Sequence, residues 1–369
     1  MKKIVVLIIC VLFLQACKEN TVIVEEMNNE PEEEEAVLPE ELPTTPTAEI
    51  PSLQFPISEF HSVIGWLSDD EILFTLLNDG EWTVQSYSIS TKNWRTIYTS
   101  SFPIIQGYVH PTKETILLHT SNSSSSAEVQ IIHKNGQLVQ SLSFESAELY
   151  LDWHPTNADL IAFTAFYEDW TYSAFVYDGS TQNLTEIEVE NPFVKWYDEE
   201  QLMVFKWSES SLDGSELMLY SIKDKTVKET GITHLLDVLV SGDSILYVQI
   251  NEPKKQYEYR LLQQDTGKSF EWTSPAVSNY SEWVMPSISM DFEGALIAIK
   301  SIEAGNQDEF NSKGIISSIS LEGINDLGEI NAQPIDCAPN GKVCLGGYEK
   351  ENWIQLDLLK EQTWITFEE

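Results

Sequence analysis

One unit constrains this chain more than anything else in it: a short strand, a polar turn and a second, greasier strand, repeated along most of its length. "IGWLSDDEILFTL" (64–76) is followed by "QGYVHPTKETILLH" (106–119), "LDWHPTNADLIAFT" (151–164) and "VKWYDEEQLMVFK" (194–206). "VLVSGDSILYVQ" (238–249), "SISMDFEGALIAIK" (287–300) and "IDCAPNGKVCLGG" (335–347) complete seven units, spaced by roughly 41–50 residues. Each unit continues into a hairpin. "WTVQSYSISTKNWRTIYT", "EVQIIHKNGQLVQSLSF" and "YSAFVYDGSTQNLTEIEV" turn at Ser-Thr-Lys-Asn, Lys-Asn-Gly and Asp-Gly-Ser, residues that accept tight backbone turns. No stretch has the 3.6-residue period of an amphipathic helix. Four short strands per unit of this length is the pattern of a β-propeller blade. A lone four-stranded sheet cannot bury both faces, whereas stacked blades can, and a closed ring leaves no exposed end. The expected fold is all-β: a propeller of seven four-stranded blades over residues 57–369.

Two of these stretches carry a family likeness. "LDWHPTNADLIAF" and "CAPNGKVCLGG" resemble the Trp-Ser-Pro-Asp-Gly-x-x-Ile-Ala-Phe blade motif of TolB-like propellers. Taken with the N-terminal features below, the chain resembles the YqgU-like propeller lipoproteins of Gram-positive bacteria. The resemblance covers nearly the whole chain and implies a fold rather than an activity. That family is described as six-bladed, so six blades stands as the alternative to the seven counted here.

The N-terminus reads as an address. Lys2 and Lys3 precede "IVVLIICVLFL" (4–14), an apolar run of 11 residues. A membrane-spanning helix needs about 20, so the run fits the core of a secretory signal. Leu14-Gln15-Ala16-Cys17 resembles the bacterial lipobox, which implies cleavage before Cys17 and a lipid thioether on its sulfur. Residues 1–16 are then a lipoprotein signal peptide. Residues 17–56 are a lipidated cysteine followed by a tether, rich in acids and carrying Pro31, Pro39, Pro43 and Pro46. Self-repulsion and proline keep such a segment extended. The expected location is the outer face of the cytoplasmic membrane of a Gram-positive host, with the lipid on Cys17 as the membrane contact. Cys10 leaves with the signal, and only Cys337 and Cys344 remain. They flank the turn "APNG" between two strand-like runs, within reach of a disulfide if register places them face to face. Reduced thiols are the alternative.

The formal net charge is −38, from 59 acids against 21 bases. Nucleic-acid binding needs a basic footprint to displace counterions, and none is present. The common catalytic and phosphate-cradling motifs are also missing, and no cofactor or metal is implied. "NDGE" (78–81) and "LDGSE" (212–216) read as turns. His110 and His154 precede proline at equivalent places in neighbouring units, which marks a blade turn. Trp66, Trp153 and Trp196 share a first-strand position suited to packing between blades. Trp82, Trp170 and Trp353 open third strands behind "DGE", "YED" and "KEN". The loop between second and third strands commonly lies on a propeller's ligand face. These tryptophans, with Glu81 and Asp169, are therefore the candidate ligand-binding residues, packing at the blade edge being the competing role. The chain reads as a monomeric binding module for a protein or wall glycan. A hydrolase or lyase acting on envelope polymers, with a site at the propeller face, is the alternative, and a scaffold in a membrane complex a third possibility.

Overall fold

The structure is a computed structural model and describes residues 50–309 and 313–368. The signal peptide, Cys17 and most of the tether lie outside the described residues. Seven four-stranded antiparallel sheets follow one another along the chain. We number them blade 1 (60–100), blade 2 (104–145), blade 3 (148–187), blade 4 (195–229), blade 5 (235–275), blade 6 (287–331) and blade 7 (335–363). Within each, the strands are lettered A to D in chain order, which is also their order in the sheet. Seven blades, as counted from the repeats, is what the chain forms.

The greasier second strand of each repeat is strand B, the one covered on both faces. Ile72, Leu73 and Phe74 in blade 1, and Ile116, Leu117 and Leu118 in blade 2, have no exposed surface. Alternate residues along a strand point to opposite faces, so each B strand feeds two different interfaces. Leu246 and Val248 of blade 5 pack towards blade 6 with Leu296 and Ala298. Ile245 and Tyr247 pack towards blade 4 with Met203 and Leu217. The same division generates an apolar cluster at every junction from blades 1–2 to blades 6–7. The junction of blades 7 and 1 has its own cluster, in which Leu345 and Trp353 meet Trp66 and Phe74. That seventh cluster closes the ring.

The polar turn of each repeat is the A–B hairpin, and in six of the seven blades a side chain there accepts from the backbone two residues ahead. Asp198 accepts from the Glu200 N–H at 2.9 Å, and Asp291 from the N–H groups of Glu293 and Ala295, both at 2.9 Å. His110 and His154 do the same work through Nδ1, accepting from Thr112 at 3.2 Å and Thr156 at 3.3 Å. In His110 this leaves Nε2 as the donor, and it reaches the His154 carbonyl of the next blade at 2.8 Å.

Strand A is an edge strand, whose unpaired backbone groups must be satisfied from outside its sheet. Neighbouring blades supply the partners. Lys113 donates to the Trp66 carbonyl at 3.0 Å, linking blades 2 and 1. Asp152 accepts from the Trp196 N–H at 2.8 Å, linking blades 3 and 4. Lys195 donates to the Val238 carbonyl at 2.6 Å and to Asp237 at 2.7 Å, linking blades 4 and 5. The Cys337 N–H donates to Ser289 at 3.0 Å, linking blades 7 and 6. Trp66 Nε1 donates to the Asp336 carbonyl at 2.9 Å and Lys350 to the Ile64 carbonyl at 3.0 Å, linking blades 1 and 7. Gly65, at φ 148° beside this last pair, has a backbone that strains any other residue, and a Cβ there would stand 2.9 Å from the Asp336 carboxylate and displace it.

Two parallel pairings among the described residues lie outside the four-stranded sheets, and the shorter joins Val277–Ser278 to Gly305–Asn306. Leu53–Pro56, which composition alone would leave in the tether, pairs in parallel with Ile365–Glu368. This clasp joins the two ends of the described chain beside the blade 7–blade 1 junction. Phe55 is its anchor, with ring centroids 5.4 Å from Phe60 and 5.9 Å from Phe74.

Candidate functional site

Each blade is a meander, so its A–B and C–D turns fall at one end. The B–C turns and the D–A connections to the next blade fall at the other. Blades 3 and 4 carry a row of aromatic rings on the latter face. Phe166 ends strand B of blade 3 and Tyr172 opens strand C. Phe193 lies in the connection to blade 4, and Trp207 follows strand B of blade 4. Ring centroids step from Tyr172 to Phe166 at 6.1 Å, to Phe193 at 5.8 Å and to Trp207 at 6.3 Å. Tyr150, on strand A, meets the edge of Phe193 at 5.2 Å. Phe193 is 42% exposed and Trp207 63%.

The row is held in place from beneath. Asn191 is buried; its amide donates to the Phe205 carbonyl at 2.9 Å and its side-chain oxygen accepts from the Phe193 N–H at 2.8 Å. The buried Thr164 hydroxyl donates to the Pro192 carbonyl at 2.6 Å. Tyr172 donates to the Val189 carbonyl at 2.9 Å. The loop behind Trp207 is tied across blade 5, where Trp283 Nε1 donates to the Leu212 carbonyl at 2.9 Å and His234 bonds the Asp213 carbonyl at 2.9 Å. Such a surface presents flat apolar faces without having to order on contact, which lowers the entropic cost of binding. Beside it, a groove of about 780 Å³ runs between the outer strands of blades 3 and 4, lined by Tyr172, Val204 and Met218 and rimmed by Glu186, Glu188 and Glu190.

The candidate tryptophans do not converge. Trp170 stands at the tip of the blade 3 B–C turn, 93% exposed and at φ 68°. It shares its turn with Phe166 and Tyr172, next to the aromatic row. Asp169 beside it accepts from the Thr171 hydroxyl at 2.6 Å and from its N–H at 3.1 Å, and these bonds hold its carboxyl below the usual carboxylate range. Trp82 is half-buried against the blade 1–2 cluster, with its ring 5.0 Å from His61. Glu81 is exposed at the start of the same strand. Trp353 is 6% exposed, in the ring-closing cluster between Trp66 at 5.9 Å and Trp364 at 5.5 Å. It packs rather than presents, because its place in strand C turns it inward to blade 1. Sequence reasoning missed Phe193 and Trp207. Both fall just outside the strand alternation, in connections, and that displacement is the only local signal they leave.

Ionisable groups gather at a second place, along the inner strands of blades 3 to 5. Burial raises the Asp152 carboxyl to about 6, against the opposing pull of Lys195. Burial likewise raises the Tyr150 hydroxyl, which donates to the Val194 carbonyl at 3.2 Å. Burial lowers both His110 and His154, keeping the rings neutral. Asp152, Lys195 and Tyr150 each already bond the backbone of an adjoining blade. A cavity of about 690 Å³ opens among the A–B turns of blades 2, 5, 6 and 7. Its charged groups are similarly engaged: Asp336 with Lys350 at 2.6 Å, Asp291 with its own turn, Lys113 with Trp66. Cys337, also on its wall, stands directly opposite Cys344 in the A–B pairing of blade 7, and their sulfurs are bonded. Among the described residues, no three of the His, Cys, Asp and Glu side chains are grouped to hold a metal ion.

Known proteins place this architecture. The chain is 22% identical over 300 residues to the uncharacterised lipoprotein YqgU of Bacillus subtilis, covering 79% of this chain and 80% of that one. The crystal structure of an uncharacterised protein from Listeria monocytogenes superposes with a TM-score of 0.78 at 19% identity, over 86% of this chain and 98% of that one. An oligogalacturonate lyase from Vibrio parahaemolyticus shares the fold at a TM-score of 0.56 and 10% identity, over 78% and 86%. The model of the YqgU-like 6-bladed beta propeller domain matches residues 88–347. That span holds blades 2 to 6 whole, the outer strand of blade 1 and the inner two strands of blade 7. The chain therefore belongs to the family of YqgU-like β-propeller domains, as a member whose ring has seven blades.

Proposed function

We propose that this chain is a lipid-anchored binding module on the outer face of the cytoplasmic membrane. The Cys17 thioether is the anchor, residues 18–52 are an acidic spacer, and the B–C face of blades 3 and 4 is the working surface. Support for the anchor comes from the residues around Cys17 and from the lipoprotein relative. Support for the surface comes from one observation above all, the braced row Tyr172–Phe166–Phe193–Trp207, half-buried at its first two rings and exposed at Phe193 and Trp207. Large aromatic rings left in water beside a groove are the groups that dominate binding energy when a partner covers them.

The test uses the mature full chain with Cys17→Ala, added to isolated cell envelopes stripped of the native protein. Retention on the envelopes is expected, and Phe193→Ala/Trp207→Ala should reduce it about tenfold while leaving thermal unfolding unchanged. Equal retention of the two forms would contradict the assignment. The same Cys17→Ala change in cells should move the protein from the membrane fraction to the medium or wall. A second reading, an envelope-polymer hydrolase or lyase, draws on Asp152 and Asp237 flanking Lys195. Because these groups hold neighbouring blades together, we favour binding. Polymer cleavage abolished by Asp152→Asn in a folded protein would reverse that choice.

A further inference from the structure

We infer that the occupant of the aromatic row is a basic, extended segment of a partner protein, with lysine or arginine side chains lying on the rings and reaching the glutamates of the adjoining groove. The inference rests on the binding role proposed above and names its ligand.

Three features select this partner. The first is the row itself, since indole and phenyl faces attract cations as well as apolar groups. The second is the spacing of the rim. Glu186, Glu188 and Glu190 are exposed and alternate with the buried Ile187 and half-buried Val189. Glu186 lies in strand D of blade 3 (Asn183–Ile187), where alternate residues recur about every 6.7 Å on one side, and Glu188 and Glu190 carry the same exposed alternation into the connection to blade 4. A partner segment with basic residues at every second position sets its cations against that alternation. The third is charge balance. None of these three glutamates has an ion-pair partner among the described residues, and Lys206, the base on the groove wall, is taken by Glu216 at 3.4 Å. Glu168, Asp169 and Glu209 stand around the same rings in sequence.

Other occupants fit less well. A net charge of −38 opposes contact with a second copy or with an anionic lipid surface, and draws a cationic partner towards the protein at long range. A neutral sugar would use the rings but leave the glutamate rim without a counterpart.

The probe is a short synthetic peptide of alternating lysine and threonine, titrated against the mature full chain carrying Cys17→Ala, with tryptophan fluorescence and calorimetry as readouts. Binding is expected, weakening with added salt. Glu186→Gln/Glu188→Gln/Glu190→Gln and, separately, Phe193→Ala/Trp207→Ala should each weaken it about tenfold. A control removing three carboxylates elsewhere, Asp265→Asn/Glu293→Gln/Glu322→Gln, should leave affinity within about twofold, because exposed charges beyond a Debye length are screened. Equal loss in the control would show only non-specific polyelectrolyte attraction and overturn the inference. A neutral N-acetylglucosamine oligomer is the second probe. If it binds through the aromatic row and the basic peptide does not, the inference fails while the binding module stands. If envelope retention is also indifferent to the aromatic pair, both fail.

Discussion

Asp152 sits where the inner strands of blades 3 and 4 meet, and burial raises its carboxyl to about 6. A folded-state value above the ordinary 3.8 means that the native protein holds more protons than the unfolded chain between about pH 4 and 6. Stability from this site is therefore full below pH 4 and is lost as pH rises through 6. Asparagine mimics the protonated form and can still accept the Trp196 N–H. Asp152→Asn should match wild type near pH 4 and exceed it increasingly up to about pH 7, by at most about 3 kcal/mol. Urea unfolding at a series of pH values measures this, and a pH-independent difference would contradict it. At this scale the sequence was readable where a residue repeats in step with the blades. Trp66 and Trp196 share a strand position and both are buried, 1% and 0% exposed. It was unreadable where a residue's role depends on its face. Trp82, Trp170 and Trp353 follow similar polar stretches, yet one is half-buried, one projects and one is in the core. A single step of register decides between those outcomes.

The elements themselves were legible because each blade is contiguous in sequence and its turns carry their own chemistry. The hairpins at Lys92, Gln182 and Lys225 take the left-handed backbone in the same C–D position, as their turn-rich composition suggests. The clasp was not legible. Its strands have four residues each and pair Leu53 with Ile365 across almost the whole chain, so neither carries a local sign of the other. Its contribution is testable through Phe55, which is 8% exposed and packs on Phe60, Phe74 and Trp94. Phe55→Ala should cost about 3–4 kcal/mol, read as a lower urea midpoint. Val139→Ala on the outer strand of blade 2, 60% exposed, should change stability by less than about 0.5 kcal/mol. Similar midpoints for the two variants would mean that the clasp does not secure the ring.

For the whole molecule, ring geometry does what no local motif does: it sets side by side groups that are far apart in sequence. Phe166 and Trp207 belong to different blades and share a row only because blade 3 packs on blade 4. The repeats in the sequence foretell that packing but not which loop residues it gathers. The seven blades also give the molecule two unlike ends. One carries tight A–B turns whose polar side chains bond the backbone of their own or a neighbouring blade, and the other carries the aromatic row with Phe193 and Trp207 in solvent. The central claim is that the second end meets the partner in the envelope. A photo-reactive amino acid at position 207 of the full-length chain in intact cells tests this most directly, with position 139 on the outer rim as the comparison. A discrete crosslinked product from position 207, lost with Phe193→Ala and absent from position 139, is the predicted result. No product from 207, or the same products from both positions, would contradict the account.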